Sequence, residues 1–395
     1  MPTFAAPDGT RLALHVRGEG PPLVVLPGGP MRASAYLGDL GRLADRRRLH
    51  LLDLRGTGDS EVPADPATYR CDRLVDDVEA LRRHLGLERM DLLAHSAAGS
   101  LAMLYAARHP ERVARLVLVT AIPWALGCRP TAEDRLAAAR LRRGEPWFAD
   151  AFPAFEAWLR DPAEYDPVIS PFFHGRWDAA AIAHDAAADE QCNDAAAEVY
   201  GSDGAYDPPA TRAALARCAA PVLVLAGALD GGPRPDLARR AAEAFPGARF
   251  VVQPGAAHYP WLDDPEWFTE RVDAFLTGAA VPRTLRPGPP GARQTLGPPA
   301  ARRPRVPQVL EVPLMCSVRG TARSLGWPRT TEPGGARTWP RAPSSSSGSW
   351  AGTSRSWTSA TPTGSPAAAA WGMSRSPSSR GSSRCATAAG PRALP

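Results

Sequence analysis

Lysine is absent from this chain: all 46 basic side chains are arginine, in 395 residues with a formal net charge of +5. That balance is unevenly spread. From residue 279 onward 16 Arg face only Glu311 and Glu332, whereas the first 278 residues hold 30 Arg against 39 acidic groups. The positive charge therefore sits on a stretch with few marks of a folded module, which argues against nucleic acid as a partner despite the basic total. The six cysteines (Cys71, Cys128, Cys192, Cys218, Cys316 and Cys385) form no C-x-x-C pair and do not cluster with histidine. This speaks against a zinc site and fits reduced thiols in a cytoplasmic protein. No run of about eighteen apolar residues occurs, so no membrane-spanning helix is expected. The opening MPTFAAPDGTRLALHVRG lacks the charged-then-apolar layout of an export signal.

What is present is an alternation of strand and helix patterns. Leu12, Leu14 and Val16 alternate as in a strand, the apolar run Leu23 to Leu26 ends in PGGP, and the run Leu49 to Leu54 ends in RGTGDS. Leu74, Val75, Val78, Leu81 and Leu85 then form a stripe at helical spacing that Gly86 stops. The run Met90 to Ala94 leads through HSAAG into a helix over 100–108, and a further strand covers 116–120. Continuous apolar strands alternating with helices imply a mostly parallel sheet covered on both faces. From Pro123 to about Ala216 the strand signal vanishes and an Ala-rich, aromatic-bearing helical text replaces it. Strands resume at Val222 to Ala226 and Arg249 to Gln253, with helices near 236–245 and after Asp264-Pro265-Glu266, a strong helix start.

Four segments follow from this pattern: a core over 1–121, a helical cap over 122–216, the core resumed over 217–278, and a tail over 279–395. Pro, Gly and Ser supply 48 of the 117 tail residues, and Phe, Tyr, Ile, Asn, His and Asp are missing there. Such a composition cannot bury enough apolar surface to offset its ordering entropy, so the tail is expected to be disordered. The same bias is what a shifted reading frame through GC-rich coding sequence would yield.

A serine hydroxyl becomes a nucleophile at neutral pH only with a base in hydrogen-bond reach, a third group to hold that base, and donors aimed at the developing oxyanion. A strand, a sharp turn and a helix present such a serine, and DLLAHSAAGSLAMLYA has that layout around Ser96. The familiar G-x-S-x-G becomes Ala94-His95-Ser96-Ala97-Ala98, with alanine, the smallest replacement, at both glycine positions and Gly99 following. Asp53 and Asp59, in DLRGTGDS, read as turn builders, and His95 as packing and hydrogen-bonding support.

These motifs resemble the α/β-hydrolase family, and within it the proline iminopeptidase-like group. The resemblance rests on LPGGP at 26–30, DLRGTGDS at 53–60, LVDDVEALRRHLGL at 74–87, HSAAGSLAMLYAARHPERV at 95–113, GALD at 227–230 and GAAHYPWLDDPEWF at 255–268. It covers residues 1 to about 278 and implies the α/β-hydrolase fold, with the cap where the insertion lies. It further implies Ser96 as nucleophile, His258 as general base, Asp230 as the acid that steadies it, and the backbone N–H groups of Gly29 and Ala97 as the oxyanion hole. The family usually carries His before the two glycines where this chain has Pro27.

A serine at the nucleophile position argues against dehalogenase and epoxide hydrolase chemistry, which use a carboxylate there. Water completes the cycle, so no cofactor and no metal are expected. The leading expectation is cleavage of an ester or amide of a small molecule or short peptide. Aminopeptidases of the resembled group often carry Trp after the nucleophile and acidic cap residues for the substrate amine, whereas this chain has Ala97. A prolyl aminopeptidase is therefore the second expectation, and a non-catalytic ligand-binding protein on the same scaffold the third.

Overall fold

The computed structural model describes residues 2–279. Expectations for the tail, apart from Ala279, lie outside the described residues. Eight strands form one sheet: β1 (Thr3–Ala5), β2 (Arg11–Arg17), β3 (Pro22–Leu26), β4 (Arg48–Leu52), β5 (Met90–His95), β6 (Val113–Val119), β7 (Val222–Gly227) and β8 (Arg249–Gln253), in the order β1-β2-β4-β3-β5-β6-β7-β8. The pairs β1–β2 and β2–β4 are antiparallel and the rest parallel. The architecture is an α/β-hydrolase fold, as expected.

The sheet separates two cores because successive side chains on a strand point to opposite faces. Val24, Leu92, Leu116 and Val224 pack on one face with α1 (Cys71–His84) and α2 (Ala98–Arg108). Val25, Leu93, Val117 and Leu223 pack on the other face with Phe268, Val272, Phe275 and Leu276. Burial on both sides explains why these strands read as unbroken apolar runs. β2 departs from the expected alternation: Ala13 is as buried as Leu12 and Leu14, whereas Val16 is 46% exposed.

Between β6 and β7 the chain makes six α-helices, short 3-10 turns and no strand element: α3 (Ala132–Ala139), α4 (Phe148–Arg160), α5 (Ala179–Ala186), α6 (Ala188–Gln191), α7 (Asp194–Tyr200) and α8 (Pro208–Leu215). α3 starts in a capping box, with the Thr131 hydroxyl accepting from Asp134 N–H and the Asp134 carboxylate accepting from Thr131 N–H. After β7 come α9 (Pro235–Glu243), α10 (Pro260–Asp263) and α11 (Pro265–Leu276). Asp264 caps α11 by accepting from Trp267 N–H at 3.0 Å, and Phe268, Val272, Phe275 and Leu276 are buried along its inner face. Cys71, Cys128 and Cys218 are free thiols. Among the described residues no helix is long and apolar enough to cross a membrane.

Candidate active site

The carboxyl ends of β3, β5, β7 and β8 face one edge of the sheet, and the loops that leave them meet there. Ser96 follows β5 directly, at the start of the turn into α2, with φ of +54°. A non-glycine residue in the left-handed region is strained, so the surroundings must hold it. They do: Ser96 N–H donates to Val119 O at 3.1 Å, and Ser96 O accepts from Gly99 N–H and Ile122 N–H, each at 2.9 Å. The glycine that lets this turn pack close is Gly99, one place later than the usual pattern, because a Cβ there would run into Ala121.

His258 lies 162 residues away in sequence, yet its Nε2 is 2.9 Å from Ser96 Oγ. Its Nδ1 is 3.0 Å from Asp230 Oδ2. A carboxylate only accepts, so Nδ1 carries the proton and Nε2 is left to accept from the serine hydroxyl. The Asp230 loop and the His258 loop are tied together through Leu229 N–H to Ala256 O at 2.8 Å, and Gly227 leaves the space in which the Ala257 carbonyl lies. Gly232 N–H donates to Asp230 Oδ1 at 2.8 Å, so both carboxylate oxygens are engaged. All three side chains are buried, His258 most exposed at 7%.

Ala97 follows Ser96 and Gly29 follows Gly28, which lies against the Ser96 side chain, and among the described residues neither the Ala97 nor the Gly29 backbone N–H has a hydrogen-bond partner. Gly29 adopts φ of +122° and lines the same pocket as Ser96 and His258. Two unengaged N–H groups beside a serine hydroxyl suit a developing oxyanion.

His95 supplies the support expected of it. Its Nε2 donates to His258 O at 2.9 Å, its Nδ1 accepts from the Tyr36 hydroxyl at 2.7 Å, and that hydroxyl accepts from Gly28 N–H at 2.6 Å. Burial first, then the neighbouring His258, hold His95 well below the ordinary histidine pKa, so the ring stays neutral. Asp53 is a loop anchor rather than a member of the site: its carboxylate accepts from Ser34 N–H at 2.7 Å and Asp59 N–H at 3.0 Å and pairs with His15 Nε2 at 2.7 Å.

A profile described as "alpha/beta hydrolase fold" matches residues 21–265. The chain belongs to the α/β-hydrolase fold family. Among curated relatives of this α/β-hydrolase, the proline iminopeptidase of Lactobacillus helveticus is 43% identical over 106 residues, 26% of this chain and 36% of that protein. The human (lyso)-N-acylphosphatidylethanolamine lipase is 38% identical over 112 residues, 28% of this chain and 32% of that protein. The match thus spans about a third of the length of these relatives. Of solved structures, an esterase from Rhodococcus sp. ECU1013 superposes with a TM-score of 0.53 at 25% identity, over 71% of this chain and 99% of the other. A proline iminopeptidase of Mycobacterium smegmatis gives 0.53 at 24% identity over 70% and 98%, a likeness of fold.

The aromatics of the inserted segment read from sequence as core of the cap for the most part and pocket wall for a few, and the pocket of this α/β-hydrolase has both kinds. Phe155, Phe172 and Phe173 of the inserted segment form apolar wall, backed by Trp158 in the core. Arg32 and Arg135 line it too. Arg135 stands in AEDRLAAA beside Glu133 and Asp134, a pattern that reads as a solvated helix face and carried no signal of burial.

Proposed function

We propose that this α/β-hydrolase cleaves an ester or amide bond of a small substrate through an acyl-enzyme on Ser96. The observation that carries this reading is the unbroken chain from Ser96 Oγ through His258 to Asp230, at 2.9 Å and 3.0 Å. In the proposed cycle Ser96 attacks the acyl carbon while His258 Nε2 takes its proton, and Asp230 stabilises the imidazolium that forms. The N–H groups of Gly29 and Ala97 receive the negative oxygen. His258 returns the proton to the leaving alcohol or amine, and water then releases the acid by the same steps in reverse. Residues 122–216 act as the cap, whose phenylalanines give an apolar seat to the substrate's hydrocarbon portion.

The test is labelling with a fluorophosphonate probe, expected at Ser96 and absent in Ser96→Ala. His258→Ala should lower kcat on p-nitrophenyl acetate by at least about 10³-fold. Wild type that neither labels nor hydrolyses any ester would leave the non-catalytic binding reading in its place.

The match to proline iminopeptidase favours a second reading, release of an N-terminal residue from small peptides. Against it stands the lining of the pocket, where Asp230 is the sole carboxylate among the described residues and both its oxygens are engaged. A substrate ammonium would find no free acid there. Turnover of prolyl-naphthylamide without turnover of p-nitrophenyl acetate would reverse this order.

A further inference from the structure

Arg135 is only 5% exposed, lines the pocket that holds Ser96 and His258, and makes no ion pair or hydrogen bond with the protein among the described residues. Its Nε is a buried donor without a partner. Asp230 and, less strongly, Asp134 attract it from a distance without an ion pair, and the oxygens of Asp230 are already taken by His258 Nδ1 and Gly232 N–H. Trp158 offers only its ring face, 5.5 Å from the guanidinium carbon. The absence of a side chain at residue 232 makes the room: a Cβ there would lie 3.1 Å from Arg135 Cζ, Nη1 and Nη2.

A second buried guanidinium, Arg32, lines the same pocket. It satisfies its donors on neutral oxygens alone, Gln191 Oε1 at 2.9 Å and His184 O at 3.2 Å, with the Tyr259 hydroxyl at 3.5 Å. The chamber therefore carries two positive groups and one fully engaged carboxylate. Burying an uncompensated charge is costly, and a planar fork of unmet N–H donors matches a carboxylate in two-point contact.

We infer that the substrate carries a carboxylate of its own, held by Arg135 with Arg32 adding to the field, so that the bond cleaved is an ester of a dicarboxylic acid. The attack of Ser96 expels the alcohol, and water releases the free dicarboxylate. This deepens the reading of Ser96 as nucleophile and rests on it for catalysis, though not for binding.

Three p-nitrophenyl esters of matched length test it: the adipate monoester, anionic at the far end, the neutral hexanoate, and the cationic aminohexanoate. Wild type is expected to prefer adipate over hexanoate by at least about tenfold in kcat/KM and to turn over the cationic ester worst, as a charged hydrogen bond should give. In Arg135→Met the adipate-to-hexanoate ratio should fall by at least about tenfold, and Arg135→Lys should restore part of it. Calorimetry with adipate supplies a readout free of catalysis: binding is expected to Ser96→Ala and to be lost when Arg135→Met is added. Esters cleaved without a charge preference, or a ratio untouched in Arg135→Met, overturn the carboxylate site while leaving the hydrolase reading intact. Adipate binding that depends on Arg135 without cleavage of any ester upholds the site and removes the hydrolase reading.

Discussion

His95 Nε2 donates to the carbonyl oxygen of His258 at 2.9 Å, so the residue before the serine holds the backbone of the residue proposed as its base. Thr120 Oγ1 donates to the same oxygen at 3.0 Å. Through Tyr36 the bond continues to Gly28, next to the proposed oxyanion donor Gly29. His95→Ala would leave the Tyr36 hydroxyl without its acceptor and let the His258 ring wander. The expected result is a kcat about 10- to 100-fold lower with KM close to wild type. A raised KM with kcat unchanged would mean that His95 serves binding, not the placement of His258.

Gly28 approaches the elbow so closely that a Cβ on it would lie 2.7 Å from Ser96 Cβ and 2.8 Å from His95 O. Neither neighbour can retreat, since one is held at a strained φ and the other belongs to β5. Gly28→Ala should therefore push the PGGP turn outward, lower kcat about 100-fold and cost about 1–3 kcal/mol of stability. Gly144→Ala, where a Cβ meets nothing within 4 Å, is the control and should match wild type in both assays. Equal behaviour of the two variants would refute the crowding argument.

Ser96 itself stores strain. With φ at +54° its backbone prefers glycine, the reverse of the usual order in which alanine stabilises. Ser96→Gly should be more stable than Ser96→Ala by about 1 kcal/mol in urea unfolding, with neither expected to hydrolyse esters. Alanine equal to or better than glycine here would show that the turn relaxes without the hydroxyl.

The parts of this molecule that were legible in its sequence are those where local chemistry permits one answer. The elbow around Ser96 needs a strand, a small-residue turn and a helix in succession, and Asp264-Pro265 caps α11 as its residue types dictate. The sheet strands were visible because double-sided burial writes an unbroken apolar run. What was hidden depends on tertiary context. β1 is three residues long, too short for any period to register. Arg135 is buried because α3 lies against the Gly231-Gly232 turn after β7 and against Trp158, and nothing in AEDRLAAA distinguishes it from a solvated arginine. Tyr36 meets His95 across 59 residues, a juxtaposition that no spacing rule encodes.

Acid should destabilise this protein through histidines that burial keeps neutral. His174 is pushed down to about 2 and His184 to about 3, burial being the larger cause for each, and His95 lies well below its ordinary value. Both ring nitrogens of His174 lack a hydrogen-bond partner. In the unfolded chain these groups titrate near 6.5, so below that pH the unfolded state binds protons that the folded state refuses. Their contribution is fully present above about pH 6.5 and lost on acidification, about 1.4 kcal/mol per pH unit for each ring. Asp263 acts in the opposite sense. Burial pushes its carboxyl up to about 6, against the N–H groups of Ala257, Gly175 and Arg176 that pull it down, so the folded state gains a proton between about 6 and 3.8. Three rings outweigh one carboxyl, and stability should fall between pH 6.5 and 5. His174→Phe removes one of the three without costing a hydrogen bond and keeps an aromatic ring beside Trp177, His184 and Tyr259. Urea midpoints at pH 7 and pH 5 should show the variant losing less than wild type, by about 1.4 kcal/mol for each pH unit below 6.5. Parallel losses in the two proteins would mean that His174 takes up its proton in the folded state and that its burial exerts no such control.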